Sequence, residues 1–141
     1  MSYLTQKTIK NPVSFNGISL HSGKNVNICI KPAIPNHGVV FKRTDLDKNN
    51  LVYPNFMNVT NTSLNTTIEN EFGVKVSTIE HLMGALFGLG VDNALIEINN
   101  EEVPILDGSA KEFIQKILIS GFEISDKPIK IVKIKNKVEY S

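Results

Sequence analysis

Glu80 and His81, adjacent in the stretch KVSTIEHLMGALFGLGVDN, carry the functional groups best suited to chemistry in this chain. A carboxylate can take a proton from an attacking water, and a neutral imidazole can bind a metal ion. Both residues fall on the first turn of an expected helix, where the helix dipole disfavours imidazolium and so favours the ring form that a metal requires. At about 100° per residue, His81 lies nearly opposite the apolar stripe and on the side of Gly84, Ala85 and Gly88. Glycine inside a helix costs roughly 0.8–1.0 kcal/mol against alanine, so two on one face call for a close neighbour. Plainer readings stand beside these. Ser77-x-x-Glu80 has the spacing of a capping box, in which the glutamate only reaches back to the cap amide. A lone histidine is more often a surface or packing residue.

The remaining candidates do not complete a metal site. A catalytic zinc takes three protein ligands and a water. The histidines are His21, His37 and His81, and none is followed four residues later by His, Asp or Glu, so there is no ligand pair on one helix face. Any complete site must draw on distant residues or on another polypeptide. His21, in GISLHSGK, sits at the tip of a glycine-bounded turn, where a functional role and simple solvation are both open. His37 reads as an exposed loop residue. Asp107 opens DGS, which is either a catalytic carboxylate or an Asp-Gly turn leading to a serine cap. Cys29 lies on the polar side of a strand with no histidine near it in sequence, a poor setting for a nucleophile. GALFGLG lacks the Lys-Ser/Thr ending of a phosphate loop.

These residues must be held by the surrounding elements. KNVNICIK alternates strictly, with Val26, Ile28 and Ile30 on one face of a strand. TIKNPVSF is a weaker strand candidate, and Asn16-Gly17 and Ser22-Gly23 are turn dipeptides. GVVFKR is a short strand, Pro54 breaks KNNLVYPN, and TSLNTTIE and VKV flank a turn at NEFG. Ser77 to Leu89 is expected to be helical, with Ile79, Leu82, Met83, Leu86 and Phe87 as its buried stripe and Gly90 as its end. NALIEIN is a strand and NNEE a turn. A second helix is expected from Ser109, with Glu112 completing a capping box, Phe113, Ile114, Ile117 and Leu118 buried, and Gly121 as the stop. From Lys127 onward the chain again reads as a strand, with nothing to close it, as if it were interrupted. Two amphipathic helices among several strands predict an α+β fold, a two-layer α/β sandwich with a mixed, largely antiparallel sheet, in one domain over residues 1–141.

The totals restrict the function classes. A chain of 141 residues, 41% hydrophobic and 21% charged, has the composition of a globular protein. No apolar run of about 18 residues is present to span a membrane. A net charge of +1 gives no global attraction for nucleic acid. The N-terminal stretch has no signal-peptide core, and a single cysteine forms no internal disulfide; both predict a cytoplasmic location. The sequons starting at Asn58, Asn61 and Asn65 are therefore read as chance matches.

Taken in order, GISLHSGK, GVVFKRTDL, VSTIEHLMGALFGLGVDNALIEIN and VPILDGSAKEF resemble the N-terminal half of the UDP-3-O-acyl-N-acetylglucosamine deacetylases, zinc amidases of lipid A synthesis. The resemblance runs from about Thr8 to Val138. It implies that Glu80 is the general base and His81 one of three zinc ligands. It also implies that His21 and Asp107 are adjacent to the site, and that Leu64, Asn65 and Thr66 border the substrate, a UDP-linked acylated amino sugar. Members of the family have two similar α/β domains facing each other. The other zinc ligands, a further histidine, a lysine and the acyl passage belong to the second domain and have no counterpart here. The chain alone is therefore expected to be inactive, needing the C-terminal domain in cis or in trans. The alternative is a non-catalytic α/β domain that acts as an interaction module.

Overall fold

Alternation of apolar and polar side chains builds the main sheet of the computed structural model, which describes residues 4–141. In chain order the strands are β1 (Thr5–Ile9), β2 (Val13–Ile18), β3 (Asn25–Pro32), β4 (Val39–Arg43), β5 (Leu51–Val52), β6 (Val59–Asn61), β7 (Thr67–Glu69) and β8 (Lys75–Val76), followed by helix α1 (Glu80–Gly88). Then come β9 (Ala94–Ile98), helix α2 (Lys111–Ser120) and β10 (Phe122–Pro128). The five-stranded sheet has the order β2-β3-β9-β4-β5, and only its β4–β9 pair is parallel. Ile28 lies opposite Ile98, Ile30 opposite Ile96, and Phe41 beside Ile96, which makes one face of the sheet apolar. Leu82, Ala85 and Leu86 of α1 and Phe113 and Ile117 of α2 close over these residues in one core. The Phe15 and Phe113 rings meet with centroids 5.0 Å apart. Helices on one side of a mixed, mainly antiparallel sheet are the two-layer arrangement expected. Among the described residues no helix is long and apolar enough to cross a membrane.

Two smaller sheets flank the main one. β1 pairs with β10, and β6, β7 and β8 form an antiparallel sheet in that order. Arg43, at the end of β4 and buried, ties this second sheet to the first. Its guanidinium donates to both carboxylate oxygens of Asp45, at 2.8 and 2.6 Å, and to the Lys75 carbonyl on β8 at 2.8 Å.

Several elements depart from the sequence reading, each for a local reason. Asn16-Gly17 is part of β2 and not a turn: a Cβ at Gly17 would stand 2.9 Å from the Pro104 Cβ, so close packing is what demands glycine there. Leu64 has φ +65°, which shortens the expected TSLNTTIE strand to β7. The last strand is Phe122–Pro128, earlier than expected, and residues 129–141 form no strand. Its partner β1 begins at Thr5, and the pairing ends where Ile129 N donates to the Leu4 carbonyl at 3.1 Å. In α1, Ala85 is in the core whereas Phe87 is 88% exposed, the reverse of their expected places. In α2, Leu118 is half-exposed. Phe113→Ala should lower unfolding stability by about 3–5 kcal/mol in denaturant titration, while Ile119→Ala, on the outer face of α2, should stay within about 0.5 kcal/mol.

Candidate active site

The start of α1 is set by strand pairing ahead of it. Ser77 forms a parallel bridge with Glu102, its N–H donating to the Glu101 carbonyl at 2.8 Å and its carbonyl accepting from Val103 N at 3.1 Å. Thr78 then takes φ +55°, a strained conformation for a β-branched residue. Ile79 is left at the N-cap with no side-chain cap bond, so the Ser77/Glu80 capping box does not form. The Glu80 carboxylate instead accepts the Thr66 N–H at 3.0 Å through Oε2, and the Thr66 carbonyl accepts Ile79 N at 3.4 Å. Two bonds thus clamp the loop before β7 onto the first turn of α1. His81 is next on that turn, half-buried.

Beside this turn a polar cleft of about 710 Å³ is lined by residues including His21, Lys24, Arg43, Asn65, Ser77 and Glu102. It brings His21 and Asn65 to one space. Glu80 and His81 do not line it; the cleft stops at Ser77, three residues before the first residue of α1. Leu64 is 90% exposed on the same loop as Asn65, whose Oδ1 accepts the Thr67 hydroxyl at 3.0 Å. Asp107 stands apart from the cleft, exposed, its Oδ1 accepting the N–H and hydroxyl of Ser109 at 3.0 and 2.9 Å. That is the turn geometry of the plainer reading. Ser109 Oγ in turn accepts Lys111 N at 3.1 Å, and α2 has Ala110 at its N-cap without the expected Ser109/Glu112 box.

Glu102 is the residue that the sequence did not single out. It lay in a stretch read only as a turn, and its one signal was an acid directly before the apolar run VPIL. It is 3% exposed. Its Oε1 accepts His21 N at 2.9 Å and the Thr78 hydroxyl at 3.0 Å, and its Oε2 accepts Ser22 N at 2.9 Å. Its own carbonyl accepts the Ser19 hydroxyl at 3.0 Å. Burial pushes the Glu102 carboxyl up, but the His21 and Ser22 amides and the Thr78 hydroxyl outweigh it and hold the group below the usual range. At the end of β4, the Arg43 guanidinium likewise holds Asp45 low.

The donors present do not make a metal centre by themselves. A catalytic zinc needs three protein ligands, and no group of three or more His, Cys, Asp or Glu among the described residues could hold a metal ion. His81 offers one imidazole, with Glu80 beside it.

Comparison with known proteins agrees with this picture of a partial site. The chain is similar to deacetylases from Haemophilus influenzae strain PittEE (44% identical over 136 residues) and Pasteurella multocida strain Pm70 (43% over 135), both named UDP-3-O-acyl-N-acetylglucosamine deacetylase. Each alignment covers 96% of this chain and 44% of the relative, so the chain spans less than half the length of the curated relatives it matches. By those names its relatives are hydrolases of the deacetylase class. A family model for UDP-3-O-acyl N-acetylglycosamine deacetylase matches residues 6–141, and the chain belongs to that family.

The buried carboxylate gives a pH test. Because the folded Glu102 carboxyl lies below its unfolded value of about 4.3, its contribution is complete above that pH and is lost as the pH falls through the folded value. Glu102→Gln should cost about 1.5–3 kcal/mol at pH 7 and flatten the loss of stability below about pH 4.3, as read by denaturant titration across pH.

Proposed function

We propose that this chain supplies one half of the active site of an enzyme that hydrolyses the acetamide of UDP-3-O-acyl-N-acetylglucosamine, a step of lipid A synthesis. The observation that carries the proposal is the engagement of Glu80 with Thr66. With no capping box, the carboxylate is not needed to cap α1. One oxygen is oriented by a backbone N–H, and the other is proposed to take the proton of a water attacking the amide carbonyl. His81, one residue on, is proposed as one donor to a zinc ion whose other donors come from outside these 141 residues. Leu64, Asn65 and Thr66 would border the sugar, with His21 entering from the neighbouring cleft. Asp107, tied up in its turn, is proposed only as a site-adjacent residue. The compartment proposed is cytoplasmic, in keeping with a single Cys29.

The outer face of the helices supports a missing half. Phe87 is 88%, Ile119 86% and Leu118 52% exposed, which leaves apolar surface on the layer opposite the sheet. A Cβ added at Gly84 or Gly88 would meet nothing within 4 Å, so no packing among the described residues requires either glycine. Close approach by the rest of the enzyme would account for both.

Two outcomes are expected. The isolated chain should neither retain stoichiometric zinc nor turn over substrate. Turnover should appear when the remaining half of a relative is supplied, fused or mixed, and should drop about 10²-fold or more in Glu80→Ala and His81→Ala. Zinc retention or activity in the isolated chain would overturn the proposal. In the second test, Gly84→Ala and Gly88→Ala should each stabilise the isolated chain by up to about 0.8–1.0 kcal/mol yet weaken its association with the other half, measured by denaturation and by titration of the two halves.

A further inference from the structure

We infer that Glu102 is a positioning residue for this site: its carboxylate fastens the His21 loop to the residue that launches α1, and so fixes His21 relative to Glu80 and His81. The inference rests on the reading of Glu80 and His81 given above. Three neutral donors, from residues 80, 81 and 24 positions away in sequence, converge on one carboxylate. None of the ion pairs among the described residues includes Glu102, so dipoles alone offset the cost of burying its charge. A well-packed neutral or apolar side chain would fill such a space at less cost. A charge kept there has a role that filling space does not explain.

Thr78 indicates what that role is. A β-branched residue in the left-handed region persists only when its surroundings over-determine it, and such residues gather where geometry matters to function. Thr78 is buried, is flanked by the Ser77–Glu102 bridge, and donates its hydroxyl to Glu102. Glu80 is two residues further on, so rotation at Thr78 would swing the turn that carries Glu80 and His81. The same carboxylate draws in the amides of His21 and Ser22, and Ser19 donates to the Glu102 carbonyl. The end of β2, the approach to α1 and residues 101–103 are therefore locked at a single point that also lines the cleft. Glutamine in place of Glu102 would turn an NH₂ group toward one of the three donors and leave it unmatched.

The test uses the chain fused to the remaining half of a full-length relative, with Glu102→Gln, His21→Ala and the double variant. Glu102→Gln should lower kcat about tenfold or more, as small displacements of reacting groups do, and the double variant should lose less than the product of the two single losses. Hydrogen exchange at the His21 and Ser22 amides should speed up about tenfold or more in the same variant. Thr78→Val, which removes one donor and keeps the charge, should lower kcat in the same direction and serves if Glu102→Gln does not fold. A Glu102→Gln enzyme within about twofold of the parent kcat, a loss that multiplies in full with that of His21→Ala, or unchanged amide exchange would overturn the inference. If the parent fusion shows no deacetylase turnover, the function proposed above fails, and the exchange measurement decides the tether by itself.

Discussion

The parallel bridge between Ser77 and Glu102 is the constraint from which the site geometry follows. Ser77 is held in an extended pairing two residues ahead of the N-cap Ile79, so it does not cap the helix, and the turn into α1 is made within Thr78 and Ile79. That turn is made at the expense of backbone strain in Thr78. Glu80 is thereby freed from capping and directed at Thr66, whose carbonyl also accepts Ile79 N. Ser77 and Glu102 both line the cleft, so one short strand contact joins the cleft wall to the first turn of α1.

The layers above this point are built unequally. On the sheet side, the core is continuous from β2 through β5 and onto both helices. The outer helix face keeps a phenylalanine, an isoleucine and half a leucine in solvent beside two glycines that have room to be larger. A face with that composition is expected where a second layer closes over the first. Membership of a family whose curated relatives are more than twice as long agrees with such a closure.

Much of the fold was legible because period and burial agree. Val26, Ile28 and Ile30 alternate and are buried as read, and Phe113 and Ile117 anchor α2. The failures share a cause, which is that pattern alone does not reveal tertiary partners. Ser77 has the right spacing for a cap, but a strand contact claims its backbone first. Gly17 looks like a turn residue, yet Pro104 explains it. The C-terminal residues alternate like a strand and lack a neighbour to pair with beyond Leu4 among the described residues. In the candidate site, Glu80 and His81 are picked out by their types and position, and Thr66 only by resemblance. Glu102 was not, because its importance lies in donors 80 residues away that no local spacing encodes.

The position of β9 bears on how the chain acquires this shape. β9 lies at the middle of the main sheet, hydrogen-bonded to β3 on one side and β4 on the other, although it is the last of the five to be synthesised. Until residues 94–98 are available, the β2–β3 and β4–β5 hairpins have no common partner and their inward apolar faces lack a shared sheet. Assembly is thus a late keystone event with high sequence separation, the kind of topology that slows folding and leaves sticky edges open longest.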